Sequence, residues 1–149
     1  MPHEKTLIDQ ALTVGKGVLR LEPNWVPRAF CVPGRRLRLH PNDYYAYGPR
    51  RGGIDERWFS STTKADNGPL TTTYEGLSFI WIDETHHVLL KDAIDTMGNE
   101  ILGENIMKKY GGWRAYSKFF DNLGPLPLHL HHTDKMAAHI GQLGKPESY

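Results

Sequence analysis

The chain carries a single cysteine, Cys31, in 149 residues. No intrachain disulfide can form, and a reducing compartment is the natural expectation. Long hydrophobic runs are missing too. Nothing approaches membrane-spanning length, and the opening Met1-Pro2-His3-Glu4-Lys5 has no apolar signal core. Charge of one sign is also absent: 18 Lys and Arg stand against 17 Asp and Glu, a net +1. That balance argues against a dedicated nucleic-acid or membrane-surface binder, which needs a basic field or block. The sequence has no Gly-rich phosphate loop, no Ser/His/Asp elbow and no Cys-x-x-Cys pair. Internal repeats and low-complexity stretches are missing as well. What remains is one cytoplasmic domain of ordinary size, residues 1–149, with room for a real core.

Turn formers are plentiful, with 15 Gly, 10 Pro and 11% aromatic residues. They imply short elements rather than a helical bundle, and an α+β, mainly β chain. Residues 4–14 read as a short helix with Leu7, Ala11 and Leu12 on one side. Residues 23–55 are rich in loops, with one short strand expected at Arg36–His40, where Leu37 and Leu39 alternate with charge. Asp55–Ala65 is β-prone, Asp66-Asn67-Gly68-Pro69 is a strong turn, and Gly76–Asp83 is dense in β-branched and aromatic residues. The longest helical pattern covers 90–108, where Leu90, Ala93, Ile94, Met97, Ile101, Leu102 and Ile106 recur at i, i+3, i+4, i+7 spacing. Gly98 and Gly103 are expected to divide it. Two further strands are expected at Tyr116–Asp121 and Leu126–His131. A short helix capped by Thr133 or Asp134 follows, and Lys145–Tyr149 reads as a strand beginning.

The chemistry concentrates at the end. In a strand, side chains alternate faces, so His129 and His131 point one way and Leu128 and Leu130 the other. Fifteen residues later comes Glu147, after the glycine-bounded loop ending in Gly144. Two imidazoles and a carboxylate on one face suit a divalent metal with open coordination positions: Zn first, with Fe, Mn or Ni also served by the set. The bare pattern is only moderately specific, because a His-x-His pair also occurs in strands that hold no metal.

The flanking residues carry a resemblance. His129-Leu-His131, then His132-Thr-Asp134-Lys-Met-Ala137, then Gly144-Lys145-Pro146-Glu147 resembles the metal motif of type I phosphomannose isomerases of the cupin superfamily. Ser117-Lys118-Phe119-Phe120-Asp121 is similar to that family's Lys-x-Leu-Asp strand, and Glu56-Arg57-Trp58 to its Glu-x-Trp segment. Asn67-Gly68-Pro69 and the helical stretch 90–108 resemble its helical insertion. The likeness covers roughly residues 50–149. It implies a partial cupin jelly roll (a double-stranded β-helix) with a helical insert at 90–108 and metal-motif strands over 116–149. The activity implied is interconversion of mannose 6-phosphate and fructose 6-phosphate through an enediolate. His129, His131 and Glu147 would hold one metal, Zn foremost. Lys145 would act as proton carrier or as counter-charge to the enediolate, and Glu56 would be a second catalytic group.

The sequence also departs from that pattern. His129 stands where the family has glutamine, Pro127 where it often has serine, and Pro146 where it has threonine. The family's fourth ligand, a histidine from a later strand, and its substrate-binding arginine have no counterpart before Tyr149. The chain is therefore expected to be the N-terminal portion of a larger cupin enzyme. The remainder of that domain, or another chain, would complete the site, and the isolated chain is expected to bind metal weakly and not turn over. Two other functions fit the same residues: an Fe(II) cupin oxygenase, and a carbohydrate-binding cupin without catalysis. Plainer readings stand beside the sharper ones. Lys145 reads as a solvated loop lysine, Glu56 as an ion-pair partner of Arg57 or another arginine, and Cys31 as a packed thiol. Arg35, Arg36, Arg38, Arg50 and Arg51 read as a solvated basic loop, although they could meet a phosphate.

Overall fold

A computed structural model describes residues 2–148. The order is α1 (Pro2–Val14), β1 (Asn24–Arg28), β2 (Gly53–Phe59), β3 (Phe79–Trp81), β4 (His87–Leu89), α2 (Leu90–Leu102), α3 (Glu104–Tyr110), β5 (Ser117–Phe120) and α4 (Asp134–Ala137). The architecture is α+β, with 30% helix and 17% strand. Its β part consists of two small antiparallel sheets, one ordered β1-β2-β5 and the other β3-β4.

One core lies between the helices and the smaller sheet. Ile8 of α1, Ile80 of β3, Val88 of β4 and Leu90, Ala93, Ile94 and Met97 of α2 close on one another, with Leu7, Ala11 and Leu12 at the edge. The apolar periodicity at 90–108 thus buries one stripe, as an amphipathic helix should. The run divides where glycine interrupts it. Gly103, at φ 85°, separates α2 from α3, and Met97 leaves helical geometry beside Gly98. Because Gly98 has no side chain, α3 folds back until the Met107 side chain lies against that glycine.

The second core is smaller: Val26, Trp58 and Ala65, with Tyr116 stacked on Trp58 at 4.6 Å. The two sheets are stitched together by Glu22 N–H to Phe79 O, Trp81 N–H to Arg20 O and Ser78 N–H to Ser61 O. Gly76, at φ 81°, lets the backbone pass under the Trp58 ring.

Several expected strands do not form. Arg36–His40 is a loop in which Arg35 and Arg38 adopt positive φ. The Leu37 amide donates to the Asp121 carboxylate at 2.7 Å instead of to a neighbouring strand. The β-prone stretch after Asp55 starts earlier, at Gly53, and stops at Phe59, where Ser60 turns to φ 54°. Only Phe79–Trp81 of the 76–83 stretch is strand. Residues 126–131 form no strand, and none forms at 145–148. Pro125 and Pro127 remove two donors from any ladder the first of these segments could join. Tyr149, the last residue of the expected strand, lies outside the described residues.

The two glycines predict contrasting behaviour. At Gly76 an added Cβ would lie 2.7 Å from Trp58 and 2.8 Å from the Ala65 nitrogen, whereas at Gly103 it would meet nothing. Both positions have positive φ. Gly103→Ala is expected to cost about 1 kcal/mol from backbone strain alone. Gly76→Ala adds overpacking and is expected to cost about 2–4 kcal/mol. Urea unfolding of both variants checks the difference.

Candidate metal centre

The segment 126–132 keeps the alternation of a strand without being one. Leu128 and Leu130 stand out in solvent, and the His129 and His131 rings meet edge to face at 4.9 Å on the other side. The next segment returns to this face. Thr133 caps α4 by accepting the Met136 N–H, Gly141 turns the chain at φ 67°, and the Gly144 amide donates to Asp134 Oδ1 at 2.9 Å. The Lys145 N–H then reaches the His132 carbonyl at 3.3 Å. A side chain at Gly144 would strike the Asp134 backbone, so the close return of the loop depends on glycine there.

This fold-back brings ligating atoms of His129, His131 and Glu147 within 4.8 Å of one another. The imidazole of His131 contacts Glu147 through Nε2 and Oε2, and Lys145 Nζ donates to the same carboxylate oxygen at 3.1 Å. His129 Nδ1 lies 2.7 Å from the Pro127 carbonyl. A carbonyl only accepts, so Nδ1 bears the proton and Nε2 keeps its lone pair free. A carbonyl or carboxylate accepting from the other ring nitrogen fixes the tautomer of a metal-binding histidine in the same way. The donor set fits a divalent ion: two imidazole nitrogens and one carboxylate, with positions left open.

Glu56 sits deeper. On β2 it is 2% exposed, and its carboxylate accepts from Arg28 Nε at 3.0 Å, Arg28 Nη2 at 3.2 Å and Trp58 Nε1 at 2.6 Å. Lys118 Nζ of β5 is 3.6 Å away. The ion-pair partner is thus Arg28, not Arg57. Arg57 points to the other face, where it lies over the Trp25 and Phe59 rings. The basic loop is dispersed too, since Arg51 is buried against Glu75 at 2.5 Å and Arg36 is tied to Asp121.

Lys118 joins the two groups. Burial pulls its pKa down; Glu56 opposes that, while the charges of Lys145 and Arg28 add to it. For Glu147, burial works upward, but the Lys145 hydrogen bond and the charges of Lys145, Lys118 and His131 win and hold it low. Tyr116 is raised by burial and feels both Lys145 and Glu147. The structure therefore places all five sequence candidates (His129, His131, Glu147, Lys145 and Glu56) around one neighbourhood, and it adds Lys118, Tyr116 and Arg28. The signal for Lys118 was present in the sequence. Lys118 stands in an aromatic strand on the same face as Phe120, and its ammonium turns to Glu56.

Compared with known proteins, the chain matches no family model, and no curated protein or solved structure matches it significantly.

Two carboxylates in this sheet predict opposite responses. Asp55, fully buried, has its pKa raised to about 7 by desolvation first and then by Glu56. A raised carboxyl pKa means the folded state holds the proton more tightly. The stabilisation is therefore full below the unfolded value near 4 and is lost as pH rises through about 7. Asp55→Asn should remove that loss, gaining as much as roughly 4 kcal/mol at pH 8 and flattening the stability profile between pH 4 and 8. Glu56→Gln should instead cost about 3–5 kcal/mol, because it leaves Arg28 and Lys118 buried without their anion. Denaturant melts across pH read both.

Proposed function

We propose that the chain forms the metal-binding half of a cupin-type sugar-phosphate isomerase that interconverts mannose 6-phosphate and fructose 6-phosphate. One observation carries this reading: His129, His131 and Glu147 converge within 4.8 Å, beside Lys145 and near a buried Lys118 whose pKa is lowered. The phosphomannose-isomerase-like order of motifs supplies the substrate class.

His129 Nε2, His131 Nε2 and a Glu147 oxygen would hold the ion. When bound, a divalent metal supplies Lewis acidity that polarises a carbonyl oxygen. Everything else falls to the chain. Isomerisation removes a proton beside the carbonyl and returns it one carbon away, which needs a group that exchanges protons near neutral pH. Lys118 Nζ suits that task, because burial lowers its proton affinity while Glu56 holds it in place. Lys145, anchored to Glu147, offers a fixed positive charge to an enediolate. The Trp58 and Phe120 rings lie against the Lys118 ammonium. The fourth ligand and the phosphate-binding group would come from the remainder of a cupin domain or from another chain.

An Fe(II) oxygenase shares the two-histidine, one-carboxylate set, but it gives the lysine pair no task. Metal analysis with paired assays separates the two. Cobalt(II) titration should show binding to this chain that falls by more than about tenfold in His131→Ala. Lys118→Met should keep the metal and lower isomerisation of mannose 6-phosphate by about a hundredfold or more in the full-length protein. Oxygen consumption with iron and no isomerase activity would replace this proposal with the oxygenase. Cobalt binding indifferent to His131→Ala would end the metal reading.

A further inference from the structure

Asp55 takes no part in the site just described, and its environment is unusual. Its side chain is fully buried, and apart from the neighbouring Cys31 thiol neither carboxylate oxygen has a hydrogen-bond partner. Its neighbour across the sheet, Asp121, is well served, accepting from the Leu37 amide and from Arg36. What lies against Asp55 is the thiol of Cys31, whose pKa rises first through burial and then through the Asp55 charge. Cys31 in turn lines an open cleft of about 310 Å³ between residues 30–32 and 122–125.

Three properties of the cleft define what fits it. Its rim is apolar, with Phe30, Val32 and Leu123 all exposed at its edge. The buried acceptors at its floor are short of donors: Asn122 Oδ1 has no partner, and the Asp55 carboxylate behind the floor meets only the weakly donating Cys31 thiol. Its local charge is negative. Glu56 on the same strand and Asp121 at the end of β5 both add to the field at Asp55, which Arg28 of β1 opposes, while Arg57, on the same face of β2, lies over the Trp25 and Phe59 rings. Arg28 is committed elsewhere, to Glu56 and to Asn67 Oδ1 at 2.7 Å. Leaving such acceptors bare is costly, and a cationic donor relieves the cost. The cleft is also much larger than a bare ion needs, so the cation should carry an organic body.

We infer that this cleft binds a small primary amine, its ammonium displacing the Cys31 thiol to sit on Asp55 and Asn122 Oδ1, and its apolar body resting against Phe30, Val32 and Leu123. The inference does not depend on the isomerase reading, since neither the metal ligands nor the two lysines take part in it. Binding and protonation compete for Asp55. Affinity should therefore climb about tenfold per pH unit below pH 7, level off above it, and be accompanied by proton release.

Benzylamine is a suitable probe, with benzyl alcohol as its neutral counterpart. Isothermal titration at pH 6 and pH 8 should show saturable benzylamine binding that tightens at the higher pH, with the alcohol at least tenfold weaker. Benzylamine should also slow alkylation of Cys31 by N-ethylmaleimide. Asp55→Asn should weaken binding at pH 8 by tenfold or more and abolish its pH dependence. Leu123→Lys, an exposed change that puts a competing cation at the mouth without risk to folding, should weaken it as well. Equal binding of amine and alcohol would overturn the proposal. So would undiminished binding in both variants, or no saturation below about 10 mM amine.

Discussion

The buried carboxylate of Glu56 is the constraint on which the larger sheet depends. It occupies the central strand, where no water reaches it, and three donors from different parts of the chain converge on it: Arg28 of β1, Trp58 of its own strand and Lys118 of β5. Taking a carboxylate and two cations out of water is expensive, and the attraction between them repays the cost only when geometry is good and lone pairs are filled. Here both Arg28 contacts and the indole bond fill them. The same arrangement fixes which face of β5 meets β2, because Lys118, paired with Trp58, shares the face of Glu56. A slip of one residue would turn Lys118 to the opposite face and leave Glu56 short of a cation.

From that anchor the candidate site is built outward. Lys118, paired with Glu56, adds its charge to that of Lys145 in holding the Glu147 pKa low, and Glu147 meets His131 across the returning loop. The interior half, Glu56 and Lys118, lies on paired strands of the sheet. The outer half is the segment 126–132 and a short capped turn, tied by the bonds from Gly144 to Asp134 and from Lys145 to His132. That division suits a site in which protein groups hold and move protons from within while the outer ligands close around an ion.

Local signals in the sequence carried far when they were strong. The apolar period at 90–108, its interruption by Gly103, the Thr133 cap, the turn at Gly68 and the strand containing Lys118 all appear where their chemistry puts them. Elements that need a partner were less legible. Leu37 and Leu39 alternate like a strand, but Asp121, 84 residues later, captures the Leu37 amide, and nothing local announces that. The convergence of His129, His131 and Glu147 was legible from alternation and the glycine loop, even though the strand supposed to present them does not form. The choice of Arg28 as partner of Glu56 was not legible. It follows from strand pairing, and Arg57, the neighbour in sequence, points away as every second residue of a strand must.

The stack of Tyr116 on Trp58 has an optical consequence. The Trp58 indole donates its N–H to the Glu56 carboxylate, lies near the Lys118 and Arg28 cations and sits within the second core. An excited indole shifts electron density from its pyrrole ring toward its benzene ring, so its emission responds to charges placed along that axis. Trp58 is therefore a fluorophore wired to the electrostatics of the site. A change in the protonation of Lys118, or in the charge near Glu147, should register as a change in its colour and brightness, with no label attached.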